Sequence, residues 1–171
     1  MKFNRKVILF DTETTGTAES DEILQLSIIN GKGRVLFNKY IKPYQKTSWP
    51  YAEKINGITP EKVSKCKTFG KYEKKIQKIF DKAEVLIAYN FDFDSRFLRQ
   101  SGIRIDRRKK ILDPMIDFAE IYCERKSYNG PFKWQKLVTA AKYYGYEFKA
   151  HDAFEDIKAT LFVARKIYEQ K

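Results

Sequence analysis

The chain has 171 residues and carries 34 Lys and Arg against 22 Asp and Glu, a formal net charge of +12. Its 43% hydrophobic content, with 13 Phe, 11 Tyr and 2 Trp, excludes a disordered chain and predicts one domain over residues 1–171. No apolar run approaches the ~18 residues of a membrane span, and Asp11 and Glu13 interrupt the N-terminus before a signal peptide could form. The positive charge is typical of proteins that bind polyanions, although solubility alone also explains it.

Cysteine usage indicates the compartment. Cys66 and Cys123 have no neighbouring Cys or His at a zinc-ligand spacing. The sequence therefore predicts a reducing, cytoplasmic location.

The first part of the chain predicts three antiparallel strands. Residues 6–13 form an apolar run that ends in acids, and residues 22–30 alternate loosely between apolar and polar. Residues 33–42 follow the segment Asn30-Gly31-Lys32-Gly33, which is a strong hairpin signal. Connections this short join antiparallel neighbours.

From Pro50 onward the hydrophobic period becomes helical. Apolar residues recur at helical spacing between Tyr72 and Ala83, and four lysines mark a solvated face of that helix: Lys71, Lys75, Lys78 and Lys82. Further helices are predicted over residues 92–100, 115–123, 134–144 and 153–168, with strands at 85–88 and 110–112. Strands first and helix–strand alternation afterwards predict an α/β domain with a mixed sheet.

Two acids follow the first apolar strand at its carboxyl end. Asp11 and Glu13 are separated by one residue, so they point to the same face of the strand. Ligands of open α/β sheets bind beyond the carboxyl ends of the strands. Thr14, Thr15 and Gly16 come next, and such small residues would let the backbone approach a ligand closely.

A second pair of acids, Asp92 and Asp94, is separated by helical spacing. Asp94 has Phe97 and Leu98 at i+3 and i+4, which predicts that it faces the sheet. Asp92 lies one helical turn before Arg96, and this spacing predicts an exposed ion pair between them. The helix dipole explains an acid such as Asp92 but not one on the buried face.

The last predicted helix repeats this anomaly. Asp156 lies three residues after Ala153 and four before Thr160, on or beside the inner apolar stripe. An unpaired buried carboxylate costs several kcal/mol, so four acids in one place require bound cations. Oxygen ligands without cysteine favour hard ions such as Mg²⁺ or Mn²⁺.

His151 is the sole histidine of the sequence and precedes Asp156 by five residues, on the loop that enters the last helix. A solitary surface histidine is usually incidental. Beside a metal-bound water, however, an imidazole suits a general base, because it changes protonation near neutral pH.

Three motifs carry a resemblance to a known family. They are Phe10-Asp11-Thr12-Glu13-Thr14-Thr15-Gly16, Tyr89-Asn90-Phe91-Asp92-Phe93-Asp94 and His151-Asp152-Ala153-Phe154-Glu155-Asp156. In order and spacing they resemble the DEDDh 3′-to-5′ exonucleases of the DnaQ-like proofreading superfamily. The segment Ile55-Asn56-Gly57-Ile58-Thr59 is also similar to one of that family, and the likeness covers nearly the whole chain.

The resemblance implies a ribonuclease H-like fold, with a five-stranded mixed sheet flanked by helices. It makes Asp11, Glu13, Asp94 and Asp156 the ligands of two divalent metal ions, Mg²⁺ or Mn²⁺, and His151 the catalytic base. All five are expected to be catalytic.

Residues expected to contact the substrate are Thr14, Thr15, Gly16, Asn90 and Phe97. Backbone around the first three would cradle the terminal nucleotide. The Phe97 ring could stack on a base, although core packing is the commoner role at its spacing.

The predicted activity is metal-dependent 3′-to-5′ hydrolysis of single-stranded or frayed DNA, releasing nucleoside monophosphates. One alternative is an exoribonuclease that trims RNA 3′ ends. Another is a non-catalytic nucleic-acid-binding or polymerase-associated module, against which the complete set of acids and His151 argues. Expected partners are DNA 3′ ends, RNA in the first alternative, and a polymerase or a replication or repair protein; no membrane partner is expected.

Overall fold

The computed structural model describes residues 1–126 and 131–169. In this part of the chain five strands form one sheet in the order β3-β2-β1-β4-β5. The strands are β1 (Val7–Thr14), β2 (Ile23–Asn30), β3 (Val35–Tyr40), β4 (Val85–Ile87) and β5 (Lys110–Leu112). The first three are antiparallel, and β4 runs parallel to both β1 and β5. The predicted five-stranded mixed sheet is confirmed.

Seven α-helices and one 3₁₀ turn, Phe69–Lys71, accompany the sheet within the described residues. The helices are α1 (Pro50–Asn56), α2 (Pro60–Ser64), α3 (Glu73–Lys82), α4 (Phe91–Gln100), α5 (Pro114–Tyr122), α6 (Leu137–Tyr143) and α7 (Ala153–Tyr168). Across residues 1–126 and 131–169 no helix has the length and apolarity needed to cross a membrane.

Helices cover both faces of the sheet. On one face Ile8 and Phe10 of β1 pack with residues of α3 and α4. On the other face Val7 and Leu9 pack with residues of α5, α6 and α7. Because both faces are covered, all eight residues of β2 are buried and the strict alternation of a half-exposed strand is absent from it.

Helices α1 and α2 close a smaller apolar cluster beside Leu24 of β2. Trp49 is 4% exposed there and donates its indole N–H to the carbonyl of Ile58 at 2.6 Å. This tryptophan is therefore a core residue.

The predicted helix over residues 134–144 is shorter than expected and begins at Leu137. Gln135 is buried, its carbonyl accepts a hydrogen bond from the Tyr89 hydroxyl at 2.8 Å, and its side-chain amide donates to Glu124 Oε2 at 3.0 Å. These tertiary contacts hold Gln135 outside the helix. They also leave its neighbour Trp134 exposed.

The basic stripe of α3 is exposed, as predicted. Lys75, Lys78 and Lys82 line a cavity of about 340 Å³ together with Arg5. Because Arg5 precedes β1 and Lys82 precedes β4, this surface lies at the amino ends of those parallel strands. It is remote from the carboxyl ends, where ligands of such sheets bind.

Candidate active site

The end of β1 directs polar side chains to both faces of the sheet. Asp11 and Glu13 continue the alternation of Val7 and Leu9, so they point to the α7 side. Thr12 continues the opposite alternation and points to the α4 side. The carboxyl end of one strand thus offers groups to two helices at once.

Asp94 reaches this strand end from α4. It is 3% exposed, and its Oδ1 accepts hydrogen bonds from the Thr12 backbone N–H at 2.8 Å and from Thr12 Oγ1 at 2.6 Å. Asp92 is exposed, so the predicted orientations of both acids are confirmed. Among the described residues, however, no ion pair joins Asp92 to Arg96. The guanidinium of Arg96 instead donates to the Thr17 carbonyl at 2.9 Å.

Asp113, which follows β5, holds the start of α4. Its carboxylate accepts hydrogen bonds from the backbone N–H groups of Asn90 at 3.0 Å, Phe91 at 2.8 Å and Met115 at 2.9 Å. It therefore caps α4 and its own helix α5 together. Asn90 occupies a left-handed conformation, φ 69°, and makes no cap with its own side chain.

Asp156 and His151 come from the start of α7. The His151 backbone N–H donates to Asp156 Oδ2 at 3.1 Å, and His151 is exposed with φ 71°. Oδ1 of Asp156 is buried and has no hydrogen-bond partner. Ligand atoms of Glu13, His151 and Asp156 all lie within 4.8 Å of one another. The structure thus brings the predicted acids and the histidine to one edge of the sheet.

Burial is the largest cause that raises the pKa of every acid in this cluster. Burial raises the pKa of Asp11 well above its ordinary value, and the charges of Asp94, Asp156 and Glu13 raise it further. Burial, followed by the charge of Asp156, raises the pKa of Glu13 to about 8. Burial also raises the pKa of Asp94 and of Asp156, although hydrogen bonds from Thr12 and His151 oppose it. Protons or cations must therefore compensate the cluster near neutral pH.

These residues fit hard divalent cations. An orphaned carboxylate oxygen on Asp156, mutual repulsion among the acids and an all-oxygen set supplemented by one imidazole are the features that Mg²⁺ or Mn²⁺ would satisfy. His151 lies close enough to act either as a ligand or as a base on a bound water.

We expect the cation-free protein to lose stability as pH rises. A carboxyl group whose pKa is raised on folding binds protons more tightly in the folded chain, so the free energy of unfolding falls between its ordinary pKa, 4.5 for Glu13, and about 8. The melting temperature in EDTA should fall over this range, by about 2–4 °C per kcal/mol lost. Added Mn²⁺ should restore it, and more at pH 8 than at pH 6.

Glu13→Gln is the matched control for this prediction. It should flatten the pH dependence in EDTA and reduce the effect of Mn²⁺. A wild-type melting temperature that neither falls with pH nor responds to Mn²⁺ would contradict the clustering of these acids.

The segment after Glu13 lines a cavity of about 200 Å³ beside it. Thr14 and Gly16 line this cavity with Tyr51, Ile55 and Phe93 from α1 and α4. Its walls are largely apolar, and Tyr51 is 79% exposed. The cavity has the size and surface to receive a planar ring.

Thr15 and Gly16 both contact the carboxylate of Asp21, which favours a hydroxyl at position 15 and a small residue at position 16. The Thr15 hydroxyl donates to Asp21 Oδ1 at 2.8 Å, and a Cβ on Gly16 would overlap the same carboxylate. A side chain at position 16 would therefore displace this carboxylate from its hydrogen bonds with Thr15 and Ala18. Only Thr14 and Gly16 of this predicted segment reach the cavity.

Phe97 is not available to a substrate. It is 1% exposed and packs in the core on the α4 side of the sheet, with its ring centroid 5.1 Å from that of Phe93. The prediction that it stacks on a base is wrong, because the helix buries this position. Phe93, one turn earlier, is the aromatic residue of α4 that reaches the cavity.

A larger cavity of about 700 Å³ lies on the other side of the acids. His151 and Asp152 line it, as do Gln25 and Asn38 on the β2–β3 side. Three lysines contribute positive charge to it: Lys39, Lys62 and Lys149. The acidic cluster thus lies between a largely apolar cavity and a larger one whose three lysines outnumber its two acids, Asp152 and Glu155.

Thr12, Asp113 and Phe93 are the site residues that the sequence analysis missed. The role of Thr12 was predictable from the sequence, because alternation along β1 directs its side chain toward the buried side of α4. Asp113 before Pro114 reads only as a cap for its own helix. Its second role depends on the pairing of β4 with β5.

The strand order and the flanking helices define a ribonuclease H-like fold, with a cluster of acids at the carboxyl end of β1. The model of an exonuclease family, RNase_T, matches residues 8–164. The chain belongs to this exonuclease family. It is also 33% identical over 165 residues to the uncharacterized exonuclease CP81 of Escherichia phage 186. The match covers 90% of this chain and 84% of the phage protein.

A second relative is a DNA polymerase III PolC-type from Caldanaerobacter subterraneus subsp. tengcongensis, 26% identical over 170 residues. This match covers 95% of the chain and only 12% of the polymerase. Among solved structures, the zinc-bound complex of E. coli ExoI with single-stranded DNA superposes with a TM-score of 0.75 at 22% identity, over 96% of this chain and 40% of that chain. That likeness shows the fold.

Proposed function

We propose that the protein is a 3′-to-5′ exonuclease that removes nucleoside monophosphates from single-stranded or frayed DNA. The convergence of Asp11, Glu13, Asp94 and Asp156 with His151 at the end of β1 is the observation that carries this proposal. Two flanking cavities support an exonuclease, because one can hold a terminal base while the other holds the phosphates of the remaining strand.

The four acids would hold two divalent cations, Mg²⁺ or Mn²⁺, which when bound supply an activated water and stabilise the leaving 3′-oxygen. His151 is exposed beside Glu13 and Asp156, so its imidazole can accept the proton of that water.

Terminal-base binding is assigned to the apolar cavity. Phe93 and Tyr51 offer ring faces there, and stacking on a ring tolerates every base. Thr14 and Gly16 supply backbone beside the same space, and Asn90 remains a proposed contact at the start of α4. The lysines of the larger cavity would neutralise phosphates of the strand.

DNA is preferred over RNA in this proposal because the PolC-type relative that contains a similar segment is a DNA polymerase. That likeness also supports a polymerase as a partner. Nothing in the site distinguishes a 2′-hydroxyl, so RNA is the competing substrate.

The proposal is tested with single-stranded DNA and RNA of one sequence, labelled at either end, in Mg²⁺ or Mn²⁺. A 5′ label should give a ladder of progressively shorter products, whereas a 3′ label should be released at once as a mononucleotide. Immediate release of the 5′ label would overturn the polarity, and faster loss of RNA would overturn the DNA preference. No hydrolysis of either strand would favour a non-catalytic module.

Asp94→Asn should reduce the hydrolysis rate at least ~10²-fold, because it removes a carboxylate from the cation site. The asparagine oxygen can still accept from Thr12, so the fold should survive. Asp92→Asn removes the same charge from the same helix turn and should change the rate less than about threefold, because Asp92 is exposed. Initial rates of both variants on one oligonucleotide check this ranking, and the reverse order would place the wrong acid in the site.

A further inference from the structure

Exposed aromatic rings are concentrated on α5, α6 and the segment between them. Trp134 is 58% exposed, Tyr143 is 54% exposed and Tyr122 is 37% exposed. We call these three residues the aromatic platform. Exposed cations accompany them in the same part of the chain: Arg125, Lys126, Lys133, Lys136 and Lys142. Of these, Lys133 is paired with Glu124 at 2.8 Å.

A buried ring of the core packs against the tyrosines of the aromatic platform. The Tyr143 ring lies 5.3 Å from that of Phe118, which is fully buried, and 6.0 Å from that of Tyr122. The Lys126 ammonium lies 5.5 Å from the centre of the Trp134 ring. Core contacts therefore hold the two tyrosine rings in place, and a cation lies over the exposed ring of Trp134.

A hydrogen bond places Trp134 at the active-site edge of the sheet. Tyr89 follows β4 at its carboxyl end, five residues before Asp94, and its hydroxyl donates to the carbonyl of Gln135. Trp134 is the next residue. Tyr122 lies two residues from Glu124, whose carboxylate accepts from the Gln135 amide.

We propose that the aromatic platform binds unpaired bases of the nucleic-acid strand whose 3′ end occupies the active site. This assignment rests on the proposed function and narrows the substrate to single strands, because paired bases inside a duplex do not expose their faces. Exposed rings interleaved with cations are the means by which single strands are bound without sequence preference. A protein partner would use the rings equally well, but the surrounding positive charge favours a polyanion.

Trp134 offers a direct readout. The sequence has two tryptophans, and the other, Trp49, is buried. In the Asp11→Asn background, which should bind without cutting, a single-stranded dT oligonucleotide of about 12 nucleotides should quench the fluorescence of Trp134 saturably. Trp134→Phe should abolish the quenching while keeping affinity, measured by anisotropy of a labelled strand, within about threefold.

Trp134→Ala should weaken binding of the single strand about 5–150-fold, the effect of losing one base–ring stack. Its affinity for a blunt duplex of equal length should stay within about twofold. Lys126→Ala should lower the salt dependence by about 0.7 in log–log slope, whereas Lys78→Ala, which removes a lysine near the amino ends of the strands, should not.

Unchanged affinity of Trp134→Ala for the single strand, or equal losses for single strand and duplex, would overturn this assignment. Wild-type hydrolysis measured in parallel separates the two proposals. If the wild type hydrolyses the strand but Trp134→Ala binds it as well as the wild type does, the role of the platform is contradicted and the proposed enzyme is not. Saturable, Trp134-dependent binding without any hydrolysis supports the platform and contradicts the proposed enzyme.

Discussion

Asp11→Asn should lower the rate of phosphodiester hydrolysis by about 10³-fold or more while the protein remains folded. Cation-mediated charge stabilisation supplies several kcal/mol to such reactions, and each ~1.4 kcal/mol changes the rate tenfold. Asp11 faces the α7 side of β1 beside Glu13. Burial raises its pKa, and the charges of four other carboxylates raise it further. Removing its charge relieves their repulsion, so the cation-free variant should melt at or above the wild-type temperature.

Single-turnover rates and melting curves of Asp11→Asn, with Asp92→Asn as the charge-matched control, check both parts. Asp92 is exposed, so its loss should affect neither quantity appreciably. Near-normal cation-dependent hydrolysis by Asp11→Asn would contradict the assignment of this cluster as the catalytic centre.

His151→Ala should slow single-turnover cleavage about 10²–10⁴-fold, the usual contribution of a general base. Strand affinity, measured in Ca²⁺ to suppress cleavage, should stay close to wild type.

The backbone at His151 calls for a second variant. Its φ of 71° is unfavourable for alanine but tolerated by asparagine, so His151→Asn removes the base while keeping the conformation that donates to Asp156. Both variants should be equally slow if the imidazole is the base. An active His151→Asn would instead assign the residue a role in loop geometry, and a lost Mn²⁺ effect on melting would make it a metal ligand.

Much of the fold follows from periodicity alone. The strands, the antiparallel start and the α3, α4 and α7 patterns are local properties, and each is visible in a short window. The acids of the site were recognisable for the opposite reason, since Asp94 and Asp156 interrupt apolar faces. What local spacing does not contain is distance between elements.

Phe97 illustrates this limit. Phe93 and Phe97 lie one turn apart on the same helix, so spacing predicts the same side for both. The depth of packing against the sheet differs between them, so Phe97 is a core residue whereas Phe93 lies beside the cavity. Gln135 is similar, because a hydroxyl 46 positions away holds it outside the helix that its neighbours predict.

The carboxylate of Asp113 caps both α4 and α5, and it thereby connects the edge of the sheet to the candidate active site. β5 has three residues, pairs with β4 on one side, and leads directly into Asp113. A displacement of this outermost strand would therefore be transmitted through Asn90 and Phe91 to the first turn of α4 and to Asp94. Within the described residues β5 is an edge strand, so a segment that extended the sheet beside it would change turnover through α4 without touching the acids themselves.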